Sequence, residues 1–138
     1  MYIVLLMIGC FTAPQVLAQP AIQDSLAYVK SILSNKNKYI NKEFGVLIKD
    51  LNMQIKSYTS IPMDRVSSSG ILISFDDWAT THDKAEGIKG LKYPVQMVIV
   101  WQNPISRSNV EAYLKTAAGD WHEAEQNYYA KLIVKDIR

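Results

Sequence analysis

The sequence predicts an α+β domain with two N-terminal helices, a three-stranded, mainly antiparallel sheet and two C-terminal helices. Three observations point there. Apolar residues recur at helical spacing over residues 22–33 and 44–51. They then alternate at a period of two over residues 53–58, 71–76 and 95–101, and helical spacing returns from Ser108 onward. Strand patterns that follow one another without an intervening helical pattern favour antiparallel pairing.

The folded body is expected to begin after a leader. No Asp, Glu, Lys, Arg or His precedes Asp24, and Tyr2 to Phe11 is almost wholly apolar. Pro14 breaks any helix there, and Val16 and Ala18 put modest side chains three and one residues before Gln19. The apolar run is shorter than the about 20 residues that span a bilayer. Residues 1–18 therefore read as a secretory signal peptide cleaved between Ala18 and Gln19, leaving residues 19–138 as one exported domain, periplasmic or secreted. The usual Lys or Arg at the start of such a leader is missing. An alternative takes Met7-Ile8-Gly9-Cys10 as a bacterial lipoprotein box, with Cys10 carrying a lipid anchor. Cys10 is the sole cysteine, so a mature chain starting at Gln19 has no disulfide, zinc-thiolate or cysteine nucleophile.

In the first helical segment Ile22, Leu26, Val29 and Leu33 form a stripe, and Ser34-Asn35-Lys36-Asn37-Lys38 ends it. Phe44, Leu47, Ile48 and Leu51 form the second stripe, with Asn41 as the expected N-cap. Met53 to Tyr58 alternates as a half-wet strand, and Ile61-Pro62 and Ser67-Ser68-Ser69-Gly70 bound a flexible connection. Ile71, Ile73 and Phe75 mark a second strand. Val95 to Trp101 is apolar on both faces, which predicts the central strand. Ser108 with Glu111, and Asp120 with Glu123, have capping-box spacing for the two last helices, separated by Gly119 as C-cap. The last helix is expected to run through Tyr128, Leu132 and Ile133. Tyr39-Ile40-Asn41-Lys42-Glu43-Phe44 through Leu51 and Met53-Gln54-Ile55 resembles the opening of small helix-then-strand extracellular modules such as the penicillin-binding PASTA repeats. Asn41 stands where those repeats carry glycine, and the resemblance implies no site residues here.

Lys and Arg total 15 against 13 Asp and Glu, a net charge of +2, which lacks the basic footprint of a nucleic-acid binder. Gly87 and Gly90 lack the strand–turn–helix setting of a phosphate loop. His122-Glu123 is similar to the start of a zinc-protease helix, but position 126 is Gln rather than the second ligand. Ser67, Ser68 and Ser69 have no nucleophile-elbow glycines around them, and only His82 and His122 are present as bases. The densest chemistry lies in and before the polar stretch from Trp78 to Tyr93. Asp76, Asp77, His82 and Glu86 offer oxygen and nitrogen ligands or acid–base groups, and Trp78 offers a contact surface. The expectation is a non-enzymatic module that takes an unidentified protein or small ligand through its sheet edge and this loop, without a cofactor. The alternative is an exported hydrolase or metal-assisted enzyme using Asp76, Asp77, His82 and Glu86.

Overall fold

A computed structural model describes residues 25–76, 94–117 and 119–138 of the chain. The architecture is α+β with an antiparallel sheet, but the sheet has four strands rather than three. Helix α1 (Ser25–Ser34), a 3-10 turn (Lys36–Lys38) and helix α2 (Phe44–Asp50) precede strands β1 (Ser57–Pro62), β2 (Ser67–Ser74) and β3 (Gln96–Ser106). Helix α3 (Arg107–Ala117), helix α4 (Glu123–Tyr129) and strand β4 (Val134–Ile137) complete the order. The strands lie β1-β2-β3-β4 across the sheet, every neighbour antiparallel.

Register fixes which residues meet. Tyr58, Ile73 and Met97 stand in one row, and Ser60, Ile71, Ile99 and Ile137 in the next. These rows share a face, and their apolar members are buried with Trp101 and Val134 against Val29, Ile32, Tyr39, Phe44, Leu47 and Tyr129. Leu72, Val98 and Val100 lie on the opposite face and are half-buried. That two-sided apolar pattern put β3 in the interior of the sheet, flanked by β2 and β4.

At Gly70 the strands approach so closely that an added Cβ would lie 2.2 Å from the carbonyl oxygen of Ile99. A bulge between Ser68 and Gly70 brings the backbones together there. The serine run before it is strand rather than flexible connection. Ser68 is 1% exposed, and its Oγ lies within hydrogen-bond range of Ser60 Oγ (2.8 Å) and the carbonyls of Ile61 (2.9 Å) and Gly70 (3.0 Å). The alternation over Met53–Tyr58 slips as well, since β1 starts only at Ser57 and runs through Pro62. Pro62 is tolerated because it closes an edge strand at a register shift. In the turn beyond it, the Asp64 carboxylate accepts from the N–H groups of Val66 (2.8 Å) and Ser67 (2.7 Å), which holds its pKa below the usual value.

The two ends of the chain differ most from expectation. Asn41 is not the N-cap of α2; it sits at φ 61°, a left-handed position that asparagine tolerates, and Glu43 is the N-cap. The turn lets residues 41–45 run alongside residues 130–134. Asn41 N–H donates to Val134 O, Val134 N–H to Lys42 O, Phe44 N–H to Leu132 O and Gly45 N–H to Ala130 O, all at 2.8–2.9 Å. Helix α4 therefore stops at Tyr129, and the β-branched Ile133-Val134 enters extended structure instead of continuing the helix. Leu26 is 53% exposed, so the buried side of α1 is Val29 and Ile32. Helix α3 begins at Arg107, before the expected cap at Ser108, and Arg107 pairs with Glu111 at 2.8 Å one turn on.

Candidate binding cleft

A concavity lies where α2, the Leu51–Lys56 segment and the start of α4 converge. Its volume is about 620 Å³, and it is lined by Ile48, Leu51, Met53, Gln54, Ile55, Trp121, His122, Glu123 and Gln126. Each wall has a local cause. Tyr28 Oη donates to Asp50 O (3.2 Å) and accepts from Asn52 N–H (2.9 Å), satisfying groups left over where α2 ends. Leu51 then turns extended, at φ −68° and ψ 122°, and carries the chain along the cleft towards β1.

The opposite wall is pinned to the start of β1. Tyr58 N–H donates to Gly119 O and Trp121 N–H to Lys56 O, both at 2.8 Å, a short antiparallel ladder through Ser57 and Asp120. Gly119 makes the approach at φ 90°, a conformation that side chains resist. The ladder ends at Trp121 because α4 begins there. His122, not Asp120, is the N-cap, and Glu125 reaches back to accept from His122 N–H at 3.0 Å. Glu125 is 2% exposed and is committed to this link; Glu123, expected as the capping acid, stands exposed on the cleft rim.

Trp121 closes the inner end. Its ring stacks on Tyr129 at 5.7 Å and meets Phe44 and Tyr58 edge-on at 6.4 and 5.5 Å. Such offset and edge contacts add about 1 kcal/mol each beyond burial. The same packing desolvates neighbouring phenols, pushing Tyr58 up to about 12 and Tyr129 further still, with the Glu125 charge reinforcing both shifts. The cleft thus has a rigid apolar floor of Ile48, Leu51, Met53, Ile55 and the Trp121 edge. Its exposed rim carries the amides of Gln54 and Gln126, the His122 imidazole and the Glu123 carboxylate.

Among the described residues that line this cleft there is no Ser, Thr or Cys. A smaller concavity of about 200 Å³ holds Ser60, Ser67 and Ser68 beside Arg107 and Glu111, with no histidine among the described residues that line it. Among the described residues no three of His, Cys, Asp and Glu come together.

Of the expected contact residues Asp76, Asp77, Trp78, His82 and Glu86, Asp76 is described. It follows β2, where its carbonyl accepts from Ser57 Oγ at 2.8 Å and its N–H donates to Ser74 Oγ at 3.3 Å. Asp77, Trp78, His82 and Glu86 lie outside the described residues, as do Cys10, Ala18 and Gln19. The cleft residues were missed because their sequence signals read as secondary structure: Met53–Ile55 as strand, Glu123 as cap and His122 as an isolated surface residue. The chain matches no protein-family model, no curated protein and no solved structure. Among the described residues no helix is long and apolar enough to cross a membrane.

Proposed function

We propose that the protein is an exported binding module without catalytic activity of its own, and that the cleft between α2 and α4 is where it binds. One observation carries the reading. An apolar floor built on packed elements is bordered by exposed amide, imidazole and carboxylate groups, which together offer both burial and hydrogen bonds to a ligand. Order supports it, since one wall is held by main-chain hydrogen bonds to β1, the other by the Tyr28 hydroxyl at the end of α2, and the Trp121 ring by packing on three sides. Export rests on the charge-free apolar start of the chain, with processing after Ala18 and lipidation of Cys10 as its two forms. The hydrolase reading gains nothing from the described residues, since Asp76 alone of its set belongs to them and its main chain is engaged in the strand end.

The test is two-dimensional NMR of the labelled protein with a library of small aliphatic and aromatic fragments. Shifts concentrated on the amides of Gln54, Ile55, Trp121, His122 and Gln126 are expected. Shifts scattered over the surface, or none at millimolar fragment, would remove the cleft as a binding site. Intact mass of the natively expressed protein tests export: a start at Gln19 or a lipid on Cys10 is expected, and an unprocessed cytosolic chain would refute it.

A further inference from the structure

We propose that Tyr113 and Tyr128 form a built-in crosslinking site, which a one-electron oxidant of the haem-peroxidase class converts to a dityrosine that staples helix α3 to helix α4. This goes beyond the binding reading and needs neither the cleft nor a ligand in it. The first support is the pair itself. Tyr113 on α3 and Tyr128 on α4 bring their ring centroids to 4.8 Å with a tilt of 32°, the closest ring pair among the described residues. A tilt this small sets the two rings flank to flank at contact distance, the approach that joining two ring carbons needs. Tyr128 and Tyr129 lie 5.0 Å apart but at 79°, with an edge aimed at a face.

The second support is where the phenolic proton can go. Taking an electron from a phenol expels that proton, and a tyrosine partly open to solvent releases it to water. Tyr113 and Tyr128 are both half-buried. Tyr58 and Tyr129 are 1% and 0% exposed, and the burial that raises their pKa also keeps their protons in place. An electron deficit in the cluster therefore comes to rest on the outer pair. The third support is the path to that pair. Tyr129 lies 5.0 Å from Tyr128, 5.5 Å from Tyr58, 5.7 Å from Trp121 and 5.9 Å from Trp101, so a deficit created at any of these rings has adjoining rings to cross on its way out.

Atoms and electrons balance. Each phenol gives one electron to the oxidised haem of the peroxidase and one proton to water. The two phenoxyl radicals pair their odd electrons in a new carbon–carbon bond between ortho positions. The hydrogens on those two carbons then move to the oxygens and restore both phenols. One hydrogen peroxide is reduced to two waters, and the protein loses two hydrogens. Cys10 is the sole cysteine, so this chain cannot staple itself by a disulfide, and the tyrosine bond would close a loop of about 15 residues.

The experiment treats dilute purified protein with a haem peroxidase and equimolar hydrogen peroxide, in the wild type, Tyr113→Phe and Tyr128→Phe. Dityrosine fluorescence, intact mass and tryptic mapping are the readouts. The expected product is a monomer lighter by two hydrogens, with residues 108–115 joined to residues 116–131 through Tyr113 and Tyr128. Its melting temperature should rise by about 5 °C, since the bond restricts the unfolded chain. Each substitution keeps a ring in place and should lower the yield within one chain by about 10-fold. Mapping of the wild-type product decides the site even if a variant folds poorly. Dityrosine found only between chains, a bond mapped to any other tyrosine pair, undiminished yield in a folded variant, or no dityrosine once the peroxide is consumed would each overturn the proposal.

Discussion

Replacing Gly70 by alanine should be among the most damaging single-methyl changes in this protein. The added Cβ would sit 2.2 Å from Ile99 O, 3.1 Å from Ile99 C and 3.2 Å from Val100 Cα, all main-chain atoms of β3. That is about 1 Å short of ordinary contact, and no flexible side chain can move aside. β2 and β3 must separate where Gly70 faces Val100 and Ile71 faces Ile99, in the middle of the sheet. Overpacking of this kind costs about 1–3 kcal/mol, and a weakened buried ladder bond adds about 1. A loss of about 3 kcal/mol, or about 10 °C in melting temperature, is expected. Urea unfolding followed by far-UV circular dichroism reads it. Gly45→Ala is the paired control: its Cβ would meet Ala130 O at 3.2 Å inside α2, where alanine's helix preference of about 1 kcal/mol offsets the crowding. Wild-type stability for Gly70→Ala, or a smaller loss than for Gly45→Ala, would refute the reasoning.

Asp136 is held near pKa 2 by Lys36 at 2.7 Å and Arg138 at 2.9 Å. Its stabilisation is present above the unfolded carboxylate value of about 4 and is lost as pH falls through about 2. After solvent screening, Asp136→Asn should cost about 1 kcal/mol at neutral pH, with the gap to wild type closing in urea melts between those values. For the buried phenols the sign is reversed. Tyr58, pushed up to about 12, and Tyr129, raised further, stabilise the fold below the ordinary phenol value of about 10; the Tyr58 contribution is lost as pH rises from there through about 12, and that of Tyr129 at higher pH still. In an alkaline titration at 295 nm their ionisation should coincide with unfolding, and Tyr58→Phe or Tyr129→Phe should shrink that step; a step of unchanged size would contradict it. Tyr28→Phe removes both hydrogen bonds at the end of α2 and should cost about 1 kcal/mol, with faster amide exchange at Asn52; wild-type stability and exchange would count against this role.

The α+β class was legible from periodicity, and the interior place of β3 from a short, β-branched run, Met97 to Trp101, that is apolar on both faces. The fourth strand was not. Leu132, Ile133 and Val134 continue a helical stripe in sequence, and only pairing with residues 41–45, about 90 positions away, makes them extended. The same remoteness hid Asn41, whose left-handed turn serves that pairing rather than a helix cap. Ser67–Ser69 reads as a turn by composition, yet the Ser68 hydroxyl replaces an apolar contact with hydrogen bonds to carbonyls across the bulge. The cleft was invisible because its walls come from two stretches that each have an adequate local explanation.

Joining residues 41–45 to residues 130–134, with Val98 and Arg138 exchanging both main-chain hydrogen bonds, has a consequence for synthesis. The pairing of residues 41–45 with 130–134 spans about 90 positions, so it cannot form until residues 130–134 have left the ribosome. Up to that moment β3 lacks its neighbour on one side and Phe44 its lid. The fold therefore closes late, with strand β4 and the segment before it as the last pieces to seat.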